Sequence, residues 1–178
     1  MLLNDPAPLV LTGMMGSGKS TVGLLLAAEL KRDFFDLDEI IERKCNRKIL
    51  QLFEEIGEAA FRVMEEEILA DVLQKSNSLI AAGGGVLLSS VNRQLLAGAG
   101  RVLLLEASLL ELERRLSNND LNRPLLSGDR NSAEQLEHLY GERRQLYHQT
   151  ADIVVNTDGL TPLQVVAVIR TRLEKSHV

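Results

Sequence analysis

Cysteine is nearly absent: Cys45 is the only one in 178 residues. An intramolecular disulfide is therefore excluded, as is a C-x-x-C pair or a clustered Cys/His metal site, and a reducing compartment is expected. An excess of positive charge is missing too. Lys and Arg number 20 against 25 Asp and Glu, a net charge of −5, so the basic footprint required for nucleic-acid binding is lacking. No long hydrophobic run occurs; the longest, about 22–28, stops at Glu29, and the first six residues carry neither a basic region nor an apolar stretch. A cytoplasmic protein in contact with neither membrane nor nucleic acid is expected. Low-complexity segments and internal repeats are absent as well. A hydrophobic content of 45% with 25% charged residues argues against disorder, and the length predicts one domain over 1–178 with a core of its own.

Against these absences stands Gly13-Met14-Met15-Gly16-Ser17-Gly18-Lys19-Ser20, followed by Thr21, which meets G-x-x-x-x-G-K-[ST] at every fixed position. A short apolar run at 8–12 precedes it and a helix-like segment at 21–31 follows, the strand–loop–helix context that the motif requires. Glycines let successive N–H groups wrap close to phosphate oxygens, and the helix N-terminus adds partial positive charge. Lys19 is then the ligand of the β- and γ-phosphates, and the Ser20 hydroxyl a ligand of Mg²⁺.

Strand-like and helix-like segments alternate along the remainder, the signature of an α/β domain with a parallel sheet. Strands are predicted at 33–38, 78–82, 102–105 and 153–155, and helices at 39–45, 50–56, 58–74, 92–96, 108–116, 132–148 and 161 onward. Ser108/Glu111, Ser132/Gln135 and Thr161/Gln164 have capping-box spacing. The polar stretch 117–131 is too long for a connector and is expected to be a mobile lid. Five strands with helices on both faces give a doubly wound sheet, with its ligand beyond the carboxyl ends of the strands.

Several polar groups fall at those ends. Asp36 and Asp38, two apart, share one side if the segment is extended; they suit a shared cation and a substrate hydroxyl, or a solvated strand end with Asp38 capping the next helix. Arg62, one turn before Glu65 and Glu66, reads by itself as an exposed ion pair. Gly83-Gly84-Gly85 at a strand end points to a close approach of ligand or backbone, or to a tight bend. Arg143 and Arg144 near a helix C-terminus suit the macrodipole. Arg114, Arg115, Arg123 and Arg130 bracket the lid, where arginine can stabilise charge on a transferred phosphoryl group or simply be solvated.

Taken in order, the phosphate loop, Asp36-Leu37-Asp38, Phe61-Arg62-Val63-Met64-Glu65, Gly83-Gly84-Gly85, Arg123-Pro124-Leu125-Leu126 and Arg143 ahead of Leu146-Tyr147 resemble the motif set of shikimate kinases over nearly the whole chain. The resemblance implies a P-loop kinase fold and ATP-dependent phosphorylation of the shikimate 3-hydroxyl, a step toward chorismate and the aromatic amino acids, by a monomer. It implies that Gly13, Gly16, Ser17, Gly18, Lys19, Ser20 and Thr21 hold the nucleotide, with Arg115 against adenine and Arg123 closing over the phosphates. Ser20 and Asp36 would hold Mg²⁺, the latter mainly through water. Asp38 would bind the shikimate hydroxyls as candidate base. Arg62, Arg143 and the glycine run would hold the substrate, both guanidinium groups meeting its carboxylate, and Glu65 would orient Arg62. The substrate-binding helices would span about 39–75. Three positions depart from the family pattern. Gln145 replaces a proline, Cys45-Asn46 a Thr-Gly, and Lys48 a Ser or Thr whose cap is worth about 1 kcal/mol. A nucleotide switch is disfavoured by the lack of an Asn-Lys-x-Asp motif and a nucleotide kinase by the paired arginines, while a gluconate kinase is to be separated by a substrate panel.

Overall fold

Side-chain alternation along the first strand, β1 (Leu9–Thr12), sets the two layers. Leu9 and Leu11 enter one buried cluster and Val10 the other. The same division holds in β3 (Ser78–Ala81), where Leu79 and Ile80 part, and in β4 (Arg101–Glu106), where Leu103 and Leu105 oppose Val102 and Leu104. With β2 (Asp33–Asp36) and β5 (Ile153–Asn156) these strands form one parallel sheet in the order β2-β3-β1-β4-β5. Both faces are buried, as continuous apolar strands in a parallel sheet require. The computed structural model describes residues 5–117 and 132–175.

Helices α1 (Lys19–Leu30) and α7 (Pro162–Lys175) cover one face through Val22, Leu26, Val166 and Ile169. The other face is covered by α2 (Leu37–Cys45), α3 (Ile49–Leu73), α4 (Ser90–Ala99), α5 (Leu109–Ser117) and α6 (Ser132–Thr150), through Ile41, Phe61, Leu69, Leu96, Leu112 and Tyr147. The expected five-stranded parallel sheet flanked on both faces is present. None of the described helices is long and apolar enough to cross a membrane.

Local differences from the sequence reading have local causes. Strand β2 stops at Asp36, because the Asp36 carboxylate accepts the N–H groups of Asp38 and Glu39 and starts α2 two residues earlier than predicted. Asp38 is thus a first-turn helical residue, neither extended nor the cap. The two helices predicted at 50–56 and 58–74 are present as the two halves of α3, separated at Gly57, where φ is 76° and ψ 165°. Lys48 does not leave the start of α3 uncapped: Glu42 accepts the Ile49 N–H at 3.1 Å and Gln51 the Lys48 N–H at 3.1 Å, while Lys48 Nζ pairs with Glu42 at 2.7 Å. Asn46 takes the left-handed conformation expected of it, φ 50° and ψ 42°.

The Thr161/Gln164 box closes in both directions. The Ser108/Glu111 box is only half made. Ser108 Oγ accepts the Glu111 N–H, but the Glu111 carboxylate is turned to Arg114 and Arg115.

Candidate active site

The loop after β1 turns back on itself because Gly13 has φ 141° and no side chain; a Cβ there would lie 2.4 Å from the Leu105 carbonyl oxygen. Gly18 then caps α1 in a left-handed conformation with no side-chain cap, leaving the first-turn N–H groups of α1 to an incoming anion. Lys19 Nζ donates to the carbonyl oxygens of Gly13 at 2.8 Å and Met14 at 2.9 Å, so the ammonium is already drawn across the loop. Ser17 is buried and its hydroxyl has no hydrogen-bond partner among the described residues. Beside the loop, Ser20 Oγ donates to Asp36 Oδ2 at 2.5 Å, while Asp36 Oδ1 serves the α2 backbone. Each oxygen of that carboxylate thus has its own task. Gly16, Thr21, Asp36, Asp38, Gly84 and Arg115 all line one cleft of about 430 Å³.

Arg115 lines this cleft with its Nη1 3.4 Å from the Ser17 carbonyl oxygen of the phosphate loop. Its Nη1 donates to Thr157 Oγ1 at 3.0 Å, its Nη2 to the Thr157 carbonyl at 2.7 Å and its Nε to Glu111 at 2.7 Å. Thr157 is a site residue that sequence reasoning missed, since nothing in the local pattern of β5 marks it. Of the lid expected at 117–131, Ser117 is the last residue of α5, and the remainder with Arg123 and Arg130 lies outside the described residues.

The glycine run after β3 abuts the phosphate loop: a Cβ on Gly84 would be 3.5 Å from the Met15 amide nitrogen. Each glycine admits a different group. A Cβ on Gly83 would stand 2.8 Å from Glu65 Oε1 and 2.9 Å from Asp38 Oδ1, so both carboxylates close on this one residue. At Gly85 the space belongs to the Arg62 guanidinium. The Gly84 carbonyl accepts from Arg143 Nη1 at 3.2 Å and from the Tyr147 hydroxyl. Both features read from the run are present, since the Val86 N–H closes a turn onto the Gly83 carbonyl at 3.1 Å. Gly83 and Gly85 stand where the close approach of side chains demands them, and Arg143 is a buried residue directed at the platform, not a solvated charge at a helix end.

Arg62 is likewise no exposed ion pair. Its side chain is 14% exposed and that of Glu65 1%, with Nη1 2.8 Å from Glu65 Oε2 and Nη2 2.9 Å from Glu58 Oε1. The rings of Phe53 and Phe61 lie 5.7 and 5.4 Å from Cζ. Burial opposes the Arg62 charge, but the Glu65 carboxylate and the hydrogen bonds to Glu65 and Glu58 outweigh it and raise the pKa. Burial also pushes the Glu65 carboxyl up, against the opposing pull of Arg62. Tyr147, quoted in the motif but given no role, is the second residue missed. Burial raises its phenol to about 12, so it stays a donor to Gly84.

A phosphate loop, a hydroxyl–carboxylate pair and two arginines, one half-buried and one buried, around a glycine platform therefore meet in one place. A family model described as shikimate kinase matches residues 15–174. The chain belongs to the shikimate kinase family. A shikimate kinase of Francisella tularensis subsp. novicida (strain U112) is 42% identical over 170 residues, covering 94% of this chain and 95% of that one. That of Chlorobium chlorochromatii (strain CaD3) is 44% identical over 161 residues, covering 87% and 84%. Among solved structures, the shikimate kinase of Acinetobacter baumannii in complex with shikimate superposes with a TM-score of 0.90 at 32% identity, covering 97% of this chain and 96% of its own. Membership of this kinase family makes the protein an enzyme, with ATP as co-substrate.

Proposed function

We propose that this kinase transfers the γ-phosphoryl group of ATP to the 3-hydroxyl of shikimate, releasing ADP and shikimate 3-phosphate on the route to chorismate and the aromatic amino acids. The observation that carries this reading is the arrival of two guanidinium groups, the half-buried Arg62 and the buried Arg143, on consecutive glycines beside the phosphate loop. A planar, permanently charged fork is suited to a small carboxylate, and its placement there sets the hydroxyl end of the same molecule toward Asp38 and the nucleotide.

In this reading the amides of Gly16, Ser17, Gly18 and Lys19, with the Ser20 and Thr21 hydroxyls, hold the phosphates. Lys19 leaves the Gly13 and Met14 carbonyls for the β- and γ-phosphate oxygens. Asp38 accepts the proton of the attacking hydroxyl, Gly83 to Gly85 support the ring, and Glu65 keeps Arg62 in register. Arg115 flanks the base and Arg123 the transferred group. Phosphoryl transfer through a loose transition state depends chiefly on such positioning and charge stabilisation.

Ser20 and Asp36 fit Mg²⁺, since they are hard oxygen donors in contact and this ion usually takes few protein ligands besides phosphate and water. When bound it would neutralise charge on the β- and γ-phosphate oxygens. A cytoplasmic monomer is part of the proposal, and size-exclusion chromatography tests its oligomeric half.

The functional test is ADP release from Mg·ATP in a coupled assay with and without shikimate, with quinate and gluconate as controls. Stimulation by shikimate alone is expected. Absence of stimulation, or equal stimulation by gluconate, would overturn the assignment.

A further inference from the structure

The end of β4 carries a cluster that the reaction as described does not use. Glu106 Oε1 is met by three side chains one helical turn apart on α6: Tyr140 Oη at 3.4 Å, Arg144 Nε at 3.8 Å and His148 Nε2 at 2.7 Å. The Arg144 guanidinium also stands 5.8 Å from the centre of the Tyr140 ring. Residues spaced by four lie on one helix face, so a single carboxylate ties that face to the sheet. On the adjoining face of the same turns are Arg143 and Tyr147, both directed at the Gly84 carbonyl. Gln145 lies between them where the family pattern has proline, and α6 runs unbroken through this position. No ring constraint sets the helix there.

We propose that Glu106 is a positioning residue for Arg143: by gripping Tyr140, Arg144 and His148 it sets the height and rotation of α6, and so the placement of the buried guanidinium against the glycine platform. This rests on the reading that Arg143 holds the carboxylate of the acid substrate. The Glu106 backbone has a separate task, its carbonyl accepting the Thr157 N–H and hydroxyl, so side-chain substitution leaves the Thr157 anchor of Arg115 in place. The consequence is selective. Losing the grip disturbs acid binding and spares the nucleotide.

Glu106→Ala is expected to raise the shikimate KM about 10-fold with kcat changed less than about threefold, because a small misplacement of a binding group costs binding of the group it should meet. The ATP KM should not move. Glu106→Gln, whose amide oxygen still accepts from Tyr140, should restore most of the affinity. In an Arg143→Lys background the further loss on Glu106→Ala should be clearly smaller than in the wild type, since both substitutions act on one contact. An unchanged shikimate KM, or a parallel fall in kcat, ATP affinity and melting temperature, would overturn the proposal. If Glu106→Ala does not fold, Tyr140→Phe with His148→Asn releases the same grip from the helix side and is read by the same criteria. Failure of the wild type to release ADP in response to shikimate would instead refute the functional reading beneath it, before any substitution is made.

Discussion

Gly85 and Arg62 are in direct contact: a Cβ on Gly85 would lie 2.4 Å from Nη2, 2.5 Å from Nη1 and 2.6 Å from Cζ of the guanidinium. The Gly85 φ of −104° is one that any residue adopts, so glycine is needed here for space and not for conformation. Gly85→Ala should therefore fold, at a cost of about 1–3 kcal/mol for the displaced neighbour. The arginine must leave its place between Glu65, Glu58 and the two phenylalanine rings. A rise in shikimate KM of at least about 10-fold with ATP affinity retained is expected, as for loss of a charge-assisted bond. Steady-state kinetics with each substrate varied checks this, and an unaltered shikimate KM would dismiss the contact as irrelevant to binding.

Glu65 predicts a pH effect whose sign follows from its burial. Its folded pKa lies above the ordinary 4.5, so the native protein holds this proton more tightly than the unfolded chain does. The associated stability is fully present below the unfolded value and is lost as pH rises through the folded one. Glu65→Gln cannot titrate. Urea midpoints from about pH 4 to about pH 7 should fall relative to those of the variant as pH rises, and parallel profiles would refute the assignment.

Tyr147 gives the alkaline counterpart. The chain has two tyrosines and no tryptophan, so tyrosinate absorbance reports only Tyr140 and Tyr147. Burial holds the Tyr147 phenol at about 12 against an ordinary 10.0, and the native state keeps its proton over that interval while the unfolded chain loses it. Stability should drop by up to roughly 3 kcal/mol across the interval, being fully present below the lower value. Tyr147→Phe should remove that decline and, near neutral pH, cost about 1 kcal/mol for the lost bond to Gly84. A native Tyr147 titrating at the ordinary value would be the contrary result.

Lys19→Ala should reduce turnover by at least about 10²-fold, the scale for one preorganised donor at a developing charge. Circular dichroism and the melting temperature should change little, because the loop carbonyls of Gly13 and Met14 that accept from the ammonium can accept from water in its place. Substantial turnover by a folded variant would remove Lys19 from the phosphoryl-transfer step.

Much of this site was legible in the chain. The phosphate loop declares itself because its glycines, lysine and hydroxyls act within eight consecutive residues, so spacing carries the geometry. The paired arginines did not declare themselves in the same way. Arg62 read alone is an ordinary helix ion pair, and only the family resemblance connected it with Arg143. Two-residue spacing puts Asp36 and Asp38 on one side only in an extended segment; capping by Asp36 turns the chain into a helix between them. Thr157 carried no local signal at all, since its bond to Arg115 spans 42 positions.

By itself the sequence determined the layered α/β architecture, because alternating apolar strands and amphipathic helices can bury their faces in few ways. It also determined the phosphate loop and the Thr161/Gln164 box at the start of α7, which depend on neighbours a few residues apart. Tertiary structure alone decided which charges are buried, what each glycine makes room for, and how Glu106 on β4 meets one face of α6 while Arg143 on the next meets Gly84. Those are contacts between elements distant in sequence, and their energies depend on burial and sub-ångström fit, quantities that no local pattern encodes.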